Sequence, residues 1–197
     1  MAARILRRSV TEAGNVRLSV MEERFEGEVR RTFTLSQEDD ARLGSPAQGE
    51  EIDDTLISSL AEAEGRLRAR AKALSLLSYS DNSARALGRK LRARGYDRES
   101  AEAAVATMIE KGYIREEAQA SSLAITAATR KLWGRRRILP YLYGKGYDLS
   151  LARRAIDRAV AEGDIDFDEI KRELIARKLG EDGTDEEKRK LLYRYGH

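Results

Sequence analysis

The first residues in this 197-residue chain whose types and spacing could do chemistry are two runs of cations. Arg85, Arg89, Lys90, Arg92 and Arg94 fall within ten positions, and Arg130, Lys131, Arg135, Arg136, Arg137 and Lys145 within sixteen. Between residues 85 and 98 six basic side chains face the single acid Asp97, and between 130 and 154 eight face the single acid Asp148. The net charge of the whole chain is only +3, so the remainder is net acidic and the positive charge is focused. A focused positive field attracts polyanions or an acidic protein face. These eleven cations are therefore the contact candidates, although each could equally serve as solubilising charge on a helix face.

Other chemistries are poorly supplied. There is no Cys, which excludes disulfides, thiolate metal sites and thiol nucleophiles. The single His is His197, so neither a His-based dyad nor a multi-histidine metal site can be built. Asp164, Asp166 and Asp168 imitate the start of a calcium loop, but position six is Glu169 instead of Gly and position twelve is Ile175 instead of Glu. Helix capping accounts for them better. Gly144-Lys145-Gly146 fits neither phosphate-loop pattern. The expectation is a protein that is not an enzyme, with no cofactor and no metal. Trp133, the only Trp, stands between Lys131 and Arg135 and could stack on a base, anchor an interface or pack a repeat junction.

Two prolines, few aromatics and abundant Ala, Arg, Glu and Leu predict a mainly helical protein. No stretch approaches the roughly 18 apolar residues of a membrane span, and MAARILRRSV lacks a signal-peptide core, so a cytoplasmic location is expected. At an offset of 51 the chain repeats itself. Leu91, Gly95, Tyr96, Asp97, Ala101, Ala104, Gly112 and Ile114 recur as Leu142, Gly146, Tyr147, Asp148, Ala152, Ala155, Gly163 and Ile165. KRKLLYRYGH begins a third copy.

Within one copy, Asn82 or Ser83 caps a first helix that Gly95 closes. Asp97 caps a second helix, whose stripe of Ala101, Ala104, Val105, Met108 and Ile109 ends at Gly112, and residues 116–132 make a third. The second copy has Asp148 as cap, Ile156, Ala159 and Val160 as core, Gly163 as stop, and Phe167, Ile170, Leu174 and Ile175 on its last helix. Gly88 lies mid-helix, and Pro140 must fall in a first turn or kink its helix. Upstream, Val16, Leu18 and Val20 alternate with polar residues, as do Arg31, Phe33 and Leu35 with Thr32 and Thr34, which predicts a β-hairpin. Ser36 to Asp39 fits a capping box for a short helix ending at Gly44; SPAQGEE follows as a turn, then one long helix over 52–79.

Residues 72–147 resemble the RecX family of recombinase regulators. The likeness lies in the order of signals: the stretch ALSLLS, a Ser-headed helix ending KLRARGY, a second helix closing on KGYI, then WGRRRI and a second KGY. FTLSQEDDARLGSPAQGEEI also looks like the family's strand and short helix, so the likeness runs from about Val29 onward. The chain departs from the family pattern at Ser80-Asp81-Asn82 and Ala86, at Arg135 where a Pro often follows the Trp-Gly, and in a third repeat truncated at Tyr195-Gly196-His197.

The resemblance implies a mainly α fold, with tandem three-helix repeats in an elongated right-handed array behind a small N-terminal antiparallel β-hairpin. The expected division is 1–50 hairpin and short helix, 51–82 connecting helix, 83–132 and 133–180 two three-helix repeats, and 181–197 the truncated third. It further implies a monomeric regulator in DNA repair, homologous recombination and the SOS response. Such a protein binds the RecA filament on DNA and modulates, chiefly by inhibition, filament extension, strand exchange and coupled ATPase activity. The alternative is a helical-repeat protein that binds single- or double-stranded DNA directly.

Overall fold

The structure is a computed structural model and describes residues 3–25, 27–180 and 183–197, leaving aside the side chain of Arg24. The chain divides into two compact units, one of residues 1–78 with 88–110 and one of residues 79–87 with 111–197. Among the described residues there are nine α-helices and four strands.

The first unit is built on an antiparallel sheet in the order β3-β2-β1-β4, with β1 (Ala3–Val10), β2 (Val16–Arg24), β3 (Gly27–Leu35) and β4 (Glu51–Ile52). The β2–β3 pair is the expected hairpin, with Leu18 opposite Phe33 and Val16 opposite Leu35. The sheet is larger than the sequence suggested. β1 pairs with β2, but the register shifts between Ile5 and Arg7, and this bulge together with Arg4, Arg7 and Arg8 hides the alternation that marks a strand. The turn segment adds the fourth strand, because the Ile5 N–H donates to Glu50 O and the Gly49 N–H to Ile5 O, at 2.9 and 2.8 Å. Ile5, Leu18, Val20, Phe33 and Leu35 point to one face and are covered by Ile57, Leu60 and Ala63 of α2 (Asp54–Tyr79).

α1 (Gln37–Arg42) starts as expected, with the Asp39 N–H donating to Ser36 Oγ and that hydroxyl donating back to the Asp39 carboxylate. Asp39 and Asp40 are buried with basic partners. Arg66 holds Asp39 at 2.9 Å, and Arg8 grips Asp40 through two bonds of 2.5 and 2.7 Å while Ser45 donates a third. Burial pushes the Asp39 carboxyl up, but Ser36, Arg66 and the charge of Arg70 outweigh it and hold the pKa below the ordinary value. For Asp40 the Arg8 bond dominates, and its pKa too is lowered. Both therefore stay ionised at neutral pH, as paired buried acids must.

α3 (Ala84–Arg92) begins in the second unit and ends in the first, where it is followed by α4 (Arg98–Glu110). Ser83 is its cap: the Ala86 N–H donates to Ser83 Oγ, whereas the Asn82 amide turns back to Ser80 O. Asp97 caps α4 by accepting from the Ser100 N–H at 2.7 Å. Gly88 is accommodated easily, since a Cβ there would lie 3.8 Å from Val105.

The second unit holds α5 (Glu116–Lys131), α6 (Arg135–Lys145), α7 (Leu149–Ala161), α8 (Phe167–Leu179) and α9 (Asp185–Tyr195) around one core. Small residues dominate it. Ala120, Ala124, Ala127 and Ala128 of α5 and Ala152, Ala155 and Ala159 of α7 let helices approach closely, while Ile138, Leu142, Tyr147, Ile156 and Leu174 fill the remainder. Two residues assigned to the buried stripes are exposed instead: Ile109 and its repeat equivalent Val160. Each follows the last fully buried position of its helix, Met108 or Ala159, and so sits about 100° further round, facing solvent.

Asp148 and Asp166 cap α7 and α8 through their carboxylates, and Asp168 pairs with Lys171 at 2.8 Å, so two of the three aspartates of the calcium-like run are engaged locally. Of the two outcomes expected for Pro140, a first-turn position or a kinked helix, the first is not the one taken: it lies in the second turn of α6, where its missing N–H leaves the Arg136 carbonyl without the usual helical donor.

Candidate partner-binding face

The eleven sequence-selected cations divide between the two units. Arg89, Lys90, Arg92 and Arg94 lie in the first, where Arg89, Arg92 and Arg94 are exposed and Lys90 is half-exposed. The Arg94 guanidinium folds back on its own helix and donates to Lys90 O at 2.8 Å. Arg89 and Arg92 make no ion pair among the described residues.

The other seven belong to the second unit, all exposed, and aromatic rings order several of them. Arg85 stands 5.6 Å from the ring centre of Tyr143. Lys145 lies 5.5 Å from that of Tyr141, and Lys131 lies 5.1 Å from Tyr141 and 4.5 Å from Trp133. Arg137 lies 4.7 Å from Trp133 and 5.8 Å from Tyr195. Trp133 meets Tyr141 edge to face at 5.4 Å. Such contacts are worth about 0.5–1 kcal/mol each at exposed sites, enough to favour one orientation of a flexible cation over others. Arg130 and Arg136 make no ion pair among the described residues, and Arg135 is drawn to Asp157 of α7 at 2.5 Å, which offsets its charge.

Trp133 is thus a half-buried packing residue with cations resting on it. Its ring contacts Tyr141, Lys131 and Arg137 and packs on the core of the second unit. Tyr141 and Tyr143, which have no counterparts in the first copy, hold Lys131, Lys145 and Arg85. Sequence reasoning selected the cations without their holders Tyr195 and Asp157, because neither stands near the clusters in the chain.

Helix ends complete the arrangement. α3 starts against the end of α6, with the Ser83 hydroxyl donating to Lys145 O at 2.9 Å. Gly146 has φ +101°, and a Cβ there would lie 2.4 Å from Ser83 Oγ, so glycine is needed for both conformation and space. Tyr147 follows, buried, and burial pushes its hydroxyl up to about 12, with Glu116 and Asp81 adding to the effect.

Residues 69–108 match the family model described as the first three-helix domain of RecX. No curated protein matches the sequence. Among solved structures, one described as the crystal structure of regulatory protein RecX superposes with a TM-score of 0.74 at 19% identity, covering 99% of this chain and 94% of its own. The crystal structure of RecX from Lactobacillus salivarius gives a TM-score of 0.57 at 20% identity, covering 68% of this chain and 90% of its own. These likenesses establish the RecX fold, helical with a small antiparallel sheet at its N-terminal side. No helix among the described residues is long and apolar enough to cross a membrane.

Proposed function

We propose that this chain is a non-enzymatic regulator that binds a RecA-type recombinase filament on DNA and inhibits its extension, strand exchange and coupled ATPase activity. The observation that carries the reading is the cation face of α6 and its neighbours in a chain of RecX-like fold, with Lys131, Arg137 and Lys145 held by aromatic rings and none of them neutralised by an acid among the described residues. Cations ordered in this way lose less freedom on contact, and they suit acidic protein patches or filament phosphates. On this reading α6 contributes Arg135, Arg136, Arg137 and Lys145, with Arg130 and Lys131 just before it, α3 contributes Arg85, Arg89, Lys90 and Arg92, and Arg94 follows α3. The protein acts as a cytoplasmic monomer.

The test is retention on pre-formed recombinase filaments on single-stranded DNA, beside the same DNA naked, at two salt concentrations. Retention on filaments at salt that strips naked DNA supports the regulator. Equal, salt-sensitive retention on both means that the basic helices read phosphate, and the direct DNA-binding alternative takes its place.

A further inference from the structure

We infer that α9 is the positioning element of the α6 cation face, and that Gly134 and Gly196, lying far apart in the chain, form the lock that sets Arg137. α6 opens on Gly134, which has no side chain with which to cap the helix. The closing end of α9 takes that role. The Gly134 N–H donates to Tyr195 O at 2.8 Å and the Arg136 N–H to Gly196 O at 3.0 Å, so free donors of one helix meet free carbonyls of another. The Arg137 guanidinium then reaches Arg194 O at 2.8 Å and lies over Tyr195 as well as Trp133.

Room for this contact exists only because both residues are glycines. A Cβ on Gly134 would stand 2.3 Å from Gly196 O, and one on Gly196 would stand 2.6 Å from the Arg137 nitrogen. One residue beyond, the His197 ring meets Leu132 O at 3.1 Å and sits edge-on to Phe167. Leu132 itself has φ +54°, a left-handed conformation unusual for leucine, directly before the Trp133-Gly134 step that α9 holds. The inference deepens the regulator reading by naming what orders its contact face, and its first readout is independent of that reading.

The experiment uses the full chain and its single Trp as reporter. Gly196→Ala is compared with Gly163→Ala, whose φ of +81° matches the +84° of Gly196 but whose Cβ would meet nothing within 4 Å. With helical circular dichroism retained, Gly196→Ala is expected to shift Trp133 emission and increase its quenching by acrylamide, while Gly163→Ala does neither. Should Gly196→Ala lose its helical signal, His197→Ala carries the test: it adds no atoms and is expected to move Trp133 the same way by less.

On filaments, Gly196→Ala is expected to weaken retention about tenfold, as far as Arg137→Ala does, and the double variant is expected to lose no more than either single one. A Trp133 signal in Gly196→Ala and His197→Ala equal to that of Gly163→Ala overturns the inference, as does full additivity with Arg137→Ala. If the unaltered protein does not bind filaments, the regulator reading fails, and Trp133 alone still decides whether α9 sets the face.

Discussion

α3 and α6 stand at equivalent positions of the 51-residue repeat with similar endings, KLRARGYD against YLYGKGYD, yet their surroundings differ. Each buries a leucine completely, Leu91 or Leu142, and each is closed by a glycine of positive φ. The differences lie at the ends and on the rings. α6 meets α9 at its start and the Ser83 turn at its finish, and its cations lie over Trp133, Tyr141 and Tyr195. The finish of α3 leaves open space around Gly95, and Tyr96 is only half-buried where Tyr147 is fully so. One sequence signal therefore serves once as an open helix end and once as a strut held at both ends. What surrounds the glycine decides whether it supplies conformation alone or conformation and room.

The contrast should show most strongly in binding. If the ring-held cations of α6 matter more than the exposed arginines of α3, Arg137→Glu with Lys145→Glu should weaken filament retention on the order of a hundredfold, and Arg89→Glu with Arg92→Glu on the order of tenfold. Equal losses would remove the functional distinction between the two helices. Stability gives an effect of similar size. Gly146→Ala is expected to cost about 3 kcal/mol, combining backbone strain with the clash at Ser83, and Gly95→Ala about 1 kcal/mol from strain alone, read from urea unfolding midpoints. Similar costs would mean that the α3–α6 contact is loose.

Smaller effects test the tyrosine and the mid-helix glycine. Because burial keeps the Tyr147 hydroxyl protonated up to about 12 while an unfolded chain ionises it near 10, its contribution is intact below about pH 10 and lost as pH rises towards 12. The protein should lose about 2 kcal/mol across that window, and Tyr147→Phe should flatten the decline; an unchanged slope in the variant would show that other groups cause it. Smallest is Gly88→Ala. With ordinary contact to Val105 and helical backbone, it should raise stability by about 0.5–1 kcal/mol, and a lower thermal midpoint would reveal packing tighter than the 3.8 Å separation indicates.

How much of this could be read in the chain depended on whether the cause was local. Asp97, Asp148 and the terminal glycines act on neighbours within a few residues, and the structure uses them as caps and stops. The Ser36 box and the β2–β3 alternation were legible for the same reason. β1 was not, because a bulge breaks its period and its arginines resemble a charged leader. Ile109 and Val160 misled because both are apolar at a repeating position, yet each stands about 100° round its helix from its buried neighbour Met108 or Ala159.

At the candidate face the cations were visible as composition. Their order was not, since Tyr195, Asp157 and the paired glycines act across distances that no window of the sequence spans.

The join between α6 and α9 also has a bearing on time. The partners Gly134 and Tyr195 are 61 positions apart, so on a ribosome adding about 5–20 residues per second the first turn of α6 is made roughly 3–12 s before the carbonyls that complete it. Through that interval the nascent chain carries an amino-terminal turn with unmet donors beside three arginines. α9 brings its own capping box in Thr184 and Glu187, which meets its own first donors and leaves its last carbonyls for the older helix.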